Sequence, residues 1–281
     1  MTVSNRFSIV LLTFNSEASI RRTLSALEGL SDDIHVVDSF STDSTVAICE
    51  SLGCKVVQHP FEHYSAQRNW AIDNLTLLHP WQLHIDADEE MEPALADELG
   101  QIDLGATTNG AFMFGRKIVF MGKVLRFGAI NKTWHLRLFR SGAARCEDRL
   151  YDQHFVSSGP VAKLSGCLLD HQEDPLAEWT RRHNRWSDLE AEELSSGSTG
   201  AAGRLAGRAT GNAMERKRFA KQRYYRLPLF WRALAYFLYR YVLRLGFLDG
   251  TRGAIYHVLQ GFWFRFLVDA KLYERRRRQR Q

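Results

Sequence analysis

Three absences narrow the class of this chain before any motif is considered. No uncharged apolar run reaches the 18 or so residues that a membrane-spanning helix requires; the longest clean tract of the aromatic C-terminal part, residues 253–264, has 12. The four cysteines, Cys49, Cys54, Cys146 and Cys167, stand in no paired spacing, which argues against a zinc knot or a disulfide framework and agrees with a reducing compartment. Residues 1–6 lead into a strand-like run with no charged-then-apolar leader, so a secretory signal is not expected and the cytosolic side is. No internal repeat is evident either.

What is present is concentrated. Leu83-His84-Ile85-Asp86-Ala87-Asp88-Glu89-Glu90 is an apolar run that ends in four carboxylates, and two aspartates one residue apart at a strand end can grip Mg²⁺ or Mn²⁺ and present it to a phosphate. The formal net charge of +5 hides a division: residues 203–281 hold 19 Lys and Arg against four acids, whereas residues 1–202 hold 18 against 28. Catalysis and anchoring are therefore expected in different regions, the basic one facing an anionic partner.

Residues 7–12 read as a buried parallel strand ending at Thr13-Phe14-Asn15, and Ser16 as the N-cap of a helix that carries Ile20, Leu24 and Leu27 as far as Gly29. Strands over 34–38, 55–57 and 81–86 alternate with helices over 44–52 and 64–75. Alternation at this pace predicts an α/β fold with a mostly parallel sheet, whose strand C-termini, and with them Asn15, Asp38 and Asp86, share the rim where open sheets bind ligands. Beyond Pro93 the pattern loosens into strands over 110–120, 133–139 and 161–169, an irregular stretch over 141–158, a helix over 179–194 and a flexible break over 195–200.

Asp38 can accept from a base imide or a ribose hydroxyl and Asp43 can cap the next helix; two caps and a turn are the structural alternative. Arg68 is placed to meet a phosphate and Asn69 a base, against the alternative of a solvated helix face. Thr13-Phe14-Asn15-Ser16-Glu17, the run from Asp38 to Asp43, Gln67-Arg68-Asn69 and Asp86-Ala87-Asp88-Glu89 stand in the order and spacing of family-2 glycosyltransferases, and over residues 6–190 the chain resembles the members that build bacterial lipopolysaccharide core and capsule. The resemblance implies a GT-A, Rossmann-like catalytic domain over residues 1–194, with a nucleotide-sugar half at about 1–95 and an acceptor half at 96–194. It implies inverting, metal-dependent transfer from a nucleotide sugar, a UDP-sugar first, to a lipid-linked or lipopolysaccharide acceptor, with a polyprenyl-phosphate acceptor as the alternative. Thr13, Asn15, Glu17, Asp38, Arg68 and Asn69 would line the nucleotide pocket, Asp88 would bind Mg²⁺ or Mn²⁺, and Asp86 would hold the ribose or the metal.

Inverting transfer needs a general base on the acceptor side. In the resembling family this is an acid about sixty residues past the metal motif, and Cys146-Glu147-Asp148-Arg149 offers Glu147 and Asp148. Asp148 is preferred because Glu-Asp pairs in that family commonly use the aspartate; a surface loop paired with Arg145 or Arg149 is the alternative. His171 can complete the metal shell or touch the diphosphate. Arg182-His183-Asn184-Arg185-Trp186 resembles the Gln-x-x-Arg-Trp motif of processive relatives with Arg in place of Gln, which suggests Arg185 for charge on the leaving diphosphate and Trp186 for packing the acceptor. His59 and His63, with Pro60 between them, read as loop residues. A nucleotidylyltransferase would want a Gly-rich, Lys-bearing loop after the first strand, and residues 13–19 have neither; a third class is a basic membrane-binding module with a degenerate nucleotide site.

After a linker over 195–211, residues 212–281 are basic and aromatic. On one helix over 227–248, Arg232, Arg240 and Arg244 fall within a single stripe and leave an apolar face opposite. A second aromatic segment, 255–268, precedes the four arginines 275–278, which suit anionic headgroups. This predicts a peripheral, monotopic anchor on the cytoplasmic face of a bacterial inner membrane. The alternative is that these helices pack on the catalytic domain or form a homo-oligomer interface. Nucleic acid is not an expected partner, because the aromatics cluster on apolar faces instead of alternating with the arginines.

Overall fold

The computed structural model describes residues 7–196 and 205–279. Residues 1–6, and residues 197–204 within the expected break and linker, lie outside the described residues. The chain divides into two units interleaved along the sequence: Met1–Lys117, Thr133–Asp148 and Gln153–His171 form the first, and Ile118–Lys132, Arg149–Asp152 and Gln172–Gln281 the second.

Branched apolar runs set the first unit. β1 (Ser8–Thr13), α1 (Glu17–Ser25), β2 (Ile34–Asp38), α2 (Thr45–Ser51), β3 (Lys55–Gln58), α3 (Tyr64–Asn74) and β4 (Trp81–Asp86) alternate as the periodicity predicts. There follow β5 (Glu89–Met91), α4 (Pro93–Gln101), β6 (Ala111–Phe120), β7 (Lys123–Val124), β8 (Thr133–Arg140), β9 (Ala144–Cys146), β10 (Phe155–Ser157) and β11 (Val161–Gln172). The main sheet runs β3-β2-β1-β4-β8-β6-β11-β5, with β7 beside β6. Its β3-β2-β1-β4 part is parallel, and β8 then joins β4 antiparallel. β1 is buried on both faces, as a central parallel strand should be: Ile9 and Leu11 pack with Ile20, Leu24, Leu83 and Leu95, while Val10 packs with Val37 and Ala71 on the other side.

Several local expectations are corrected. Ser16 is the N-cap residue of α1, as expected, but its hydroxyl donates to the Phe14 carbonyl (3.2 Å) instead of accepting from the first turn, and the helix ends at Ser25 before Gly29. A helix opens at Pro93, where the apolar pattern had loosened, because proline's fixed φ suits a first helical turn. Residues 141–158 contain the antiparallel pair β9 and β10. His63 caps α3 by accepting from the Ala66 amide (3.2 Å), and His59 stacks on Trp70 at 4.0 Å.

The second unit is helical: α5 (Leu176–Ser195), α6 (Ala213–Tyr225), α7 (Trp231–Leu238), α8 (Gly250–Tyr256) and α9 (Phe264–Arg278), with wide π-type turns at Tyr239–Leu243 and His257–Trp263. Ile118, Phe120, Leu125 and Ile130 pack with Trp179 and Tyr256. The single helix expected over 227–248 is instead α7, a π turn, a left-handed residue at Leu245 (φ 60°) and a 3₁₀ turn at Gly246–Asp249. Arg232 and Arg240 point inward: Arg232 Nε donates to Asp269 Oδ1 (2.7 Å) and Nη1 to the Tyr225 carbonyl (3.0 Å), and Arg240 Nε donates to the Gly128 carbonyl (3.1 Å). The buried Asp269 carboxylate demands a cation, and tyrosine faces at 5.1–5.8 Å accept both guanidiniums, so Arg232 and Arg240 lie on the packed side while Arg244 stays exposed. Among the described residues no helix is long and apolar enough to cross a membrane.

Gly166 on β11 passes so close to α4 that an added Cβ would lie 2.5 Å from the Leu95 Cα. Gly166→Ala is therefore expected to lower the unfolding free energy by about 1–3 kcal/mol, read as an earlier urea midpoint at unchanged slope; an unshifted midpoint would disprove the close packing.

Candidate active site

The rim predicted from the sequence exists in the first unit. In the β1–β2 register Thr13 lies opposite Asp38, and in the β1–β4 register Leu12 lies opposite Asp86, so the three strands end level. The loops that follow brace one another. The Asn15 backbone N–H donates to Ser41 Oγ (2.8 Å), and Asn15 Oδ1 accepts from the Thr42 amide (2.8 Å). Glu17 Oε2 accepts from the Ser44 amide (3.0 Å), while Asp43 Oδ2 accepts from the Glu17 amide (3.1 Å) and Oδ1 from the Thr45 amide (3.0 Å). Asn15 holds a left-handed conformation (φ 47°), tolerated by a short polar side chain that bonds locally.

Asp38 is fully buried and accepts from Thr13 Oγ1 (3.0 Å), the Ser41 amide (2.8 Å) and Gln58 Nε2 (3.2 Å), with Ser41 Oγ as a fourth donor at 2.5 Å. Its carboxylate shapes the loop from within, in place of the expected direct contact with a base or ribose. Asn69 likewise spends its amide on protein: Nδ2 donates to the Cys146 carbonyl (2.9 Å) and Oδ1 accepts from the Cys146 amide (3.0 Å), which fixes the strand leading into Glu147 and Asp148.

Beneath the acidic turn lies a cluster of charges that the sequence reading missed. Arg68 Nη2 donates to Asp86 Oδ1 (2.7 Å), and Arg137 Nη2 reaches Asp86 Oδ2 (2.7 Å) and Glu89 Oε1 (2.8 Å). Arg116 stands 3.7 Å from Glu89 and 3.5 Å from Asp170. The second Glu89 oxygen accepts from the Asp86 amide (3.0 Å), closing the turn. Burial acts to raise the Asp86 pKa, but Arg137 and Arg68 outweigh it and hold the carboxyl well below its usual range; burial dominates at Glu89 and raises it. Burial, aided by the same two arginines, keeps His84 neutral below them. Both Asp86 oxygens face guanidiniums, a poor setting for a cation or ribose, so the metal assignment rests on Asp88. The Asp88 carbonyl accepts from the His171 amide (3.0 Å), and His171 Nε2 pairs with Glu90 Oε2 (2.7 Å), which brings His171 to the same turn.

The two candidate bases differ in setting. Glu147 is buried and accepts from the His154 amide (2.9 Å), whereas Asp148 is exposed. Arg145 is bidentate to Asp73 (2.6 and 2.8 Å), and Arg149 Nε lies 2.8 Å from Glu193. Burial pushes the adjacent Cys146 thiol up to about 11, which argues against a thiolate there. Arg185 and Trp186 belong to α5 of the second unit; Arg185 is exposed, and Trp186 is half-buried with ring contacts to His183 (4.7 Å) and Tyr151 (6.1 Å). One signal for the missed cluster is present in the sequence: Arg137 interrupts the apolar run Leu136-Arg137-Leu138-Phe139, and a charge on a buried strand implies a buried counter-charge.

A half-parallel sheet with crossover helices and an acidic turn on its rim defines the GT-A class of glycosyltransferase fold. The family model described as "Glycosyl transferase family 2" matches residues 8–155. The chain belongs to that family and is a glycosyltransferase. An uncharacterized glycosyltransferase of Rickettsia typhi is 26% identical over 280 residues, covering 96% of this chain and 87% of the relative. The lipopolysaccharide core biosynthesis glycosyltransferase LpsC of Rhizobium meliloti is 26% identical over 283 residues, covering 95% and 92%. Among solved structures, a mannosyltransferase of Pyrobaculum calidifontis in complex with GDP-Man and Mn²⁺ matches in fold with a TM-score of 0.55 at 14% identity, over 95% of this chain and 87% of that one.

Arg137→Met leaves Asp86 and Glu89 without their shared cation and is expected to cost about 3–5 kcal/mol at pH 7. The folded pKa of Asp86 is depressed, so its stabilisation is present above the unfolded value of 3.8 and is lost as pH falls through the folded value. The wild-type advantage over Arg137→Met should therefore be smaller at pH 3 than at pH 7 in urea titrations; an equal gap at both would contradict the clamp.

Proposed function

We propose that the protein transfers a sugar, with inversion, from a nucleotide-sugar donor, a UDP-sugar first, to a lipopolysaccharide or other lipid-linked acceptor. The observation that carries this reading is the level ending of β1, β2 and β4, which sets Thr13, Asp38 and the Asp86–Asp88 turn on one rim of a family-2 glycosyltransferase sheet. The similarity to LpsC supports the acceptor class.

The braced loops at Asn15 and Glu17 present the nucleotide site. Among the described residues no three His, Cys, Asp or Glu side chains form a metal cage. Mg²⁺ and Mn²⁺ are commonly held by one or two carboxylates plus donor phosphates, a mode in which they keep most of their waters. Asp88 would be the protein ligand, with His171 beside it, and the ion when bound would offset charge on the departing diphosphate. Asp148 is the base: its carboxylate takes the proton of the acceptor hydroxyl as that oxygen bonds to the anomeric carbon, and the bond from that carbon to the diphosphate oxygen breaks on the opposite face. Glu147 holds the loop through the His154 amide.

Asp148→Asn should lower turnover by about 10²-fold or more with an unchanged melting temperature, whereas Glu147→Gln should act mainly on stability. Product assays with a panel of nucleotide sugars and membrane extract read both, and an Asp148→Asn enzyme at wild-type rate would place the base elsewhere. In calorimetry with UDP and Mn²⁺, Asp88→Ala should abolish the metal-dependent heat; undiminished heat would remove Asp88 from the metal site.

A further inference from the structure

Exposed apolar side chains are unevenly distributed over this protein. Of 21 large hydrophobic residues exposed among the described residues, 13 lie between Leu227 and Tyr273, within the second unit. Single exposed hydrophobics are ordinary, but a contiguous set marks an interaction face. Trp231, Leu234, Leu238 and Val242 recur at intervals of three and four along α7 and the π turn after it, and Leu243 and Leu248 carry the face around the next bend. Trp231 is 71% exposed and Leu243 73%.

This face is fixed outward. The opposite side of α7 carries Arg232, ion-paired to buried Asp269, and the π turn carries Arg240, bonded to the Gly128 carbonyl; turning the apolar stripe inward would break both contacts. The Phe230 ring lies 5.1 Å from Phe266 and 6.3 Å from Tyr273, so the face extends onto α9, where Arg276 and Arg277 follow Tyr273 at i+3 and i+4 on the same side. Its charge has one sign. The acids of residues 205–279 are Glu215, Asp249, Asp269 and Glu274; the first closes the α6 capping box, the next two are buried, and exposed Glu274 is paired with Arg278. Arg226, Arg244 and Arg252, which flank the apolar stripe in sequence, and Arg276 and Arg277 on α9 are all exposed.

An apolar stripe rimmed by cations and lacking unpaired exposed acids complements the interface of an anionic bilayer, with hydrocarbon below and phosphates above. We propose that this face docks the protein on anionic lipid, with Trp231 and Leu243 entering the acyl boundary and the surrounding arginines meeting headgroup phosphates. The docking rests on second-unit residues alone and stands apart from the transfer reaction.

Flotation of the full chain with phosphatidylglycerol-containing vesicles, against pure phosphatidylcholine, tests it. Wild type should float with the anionic vesicles, less so as salt is raised, and Trp231→Ser with Leu243→Ser should lower the vesicle-bound to free ratio about tenfold or more at an unchanged melting temperature. Should the double variant melt early, Leu243→Ser alone carries the same comparison. Arg276→Ser with Arg277→Ser should reduce the preference for anionic over neutral vesicles. Absence of flotation, flotation indifferent to the apolar substitutions, or a wild-type dimer that those substitutions dissolve, assigning the face to a second copy, would each overturn the proposal.

Discussion

The Arg137 guanidinium, buried between Asp86 and Glu89, is the interaction on which the site geometry depends. A carboxylate pair this close would repel if both were ionised, and burial removes the water that would screen them. Arg137 on β8, joined by Arg68 on α3, makes the acidic turn compatible with a sheet interior. It also separates the roles of two aspartates that look equivalent in sequence. Asp86 becomes part of the scaffold, and Asp88, two residues on, is held at the rim by a turn whose shape the buried charges set. In such a network, removing one member costs more than the pair contributes, because the remaining charge stays buried.

The loops above this foundation are arranged by the same economy. Four of the acids and amides expected at the nucleotide bracket backbone: Asp38 closes its own loop, Asn15 and Glu17 tie α1 to the loop before α2, and Asn69 pins the strand that carries Glu147 and Asp148. A rim made of short polar loops would otherwise be mobile. Reciprocal side-chain-to-backbone bonds give it a fixed shape before any ligand arrives, which is how a recognition surface avoids an ordering penalty on binding.

The parallel half of the sheet was legible because each strand is a short branched run followed by a helix of clear period, and the motifs fell at strand ends by topology alone. Pairings without a local signal were not legible. Glu89, Arg137 and Arg116 meet across β5, β8 and β6, and nothing in their spacing announces it beyond one arginine in an apolar strand. The hairpin of β9 and β10 was hidden in polar composition. In the C-terminal part the single helix expected over 227–248 breaks at a π turn and at left-handed Leu245, and no local signal announces that Arg232 is claimed by the buried Asp269, 37 residues away. Helical periodicity gives two faces; which one is inside is decided by partners distant in sequence.

The interleaving of the two units has a consequence for the chain as it is made. The segment Ile118–Lys132 belongs with helices synthesised much later: the amides of Arg126 and Phe127 donate to Asp249, 123 and 122 residues on, and Phe120 and Leu125 share a core with Tyr256. While the sheet that flanks this segment can assemble during translation, its own apolar side chains lack their full covering until Asp249 and Tyr256 have left the ribosome. The protein therefore passes through a long stretch of its synthesis with a hydrophobic loop waiting for its partner, a kinetic exposure built into the order of its parts.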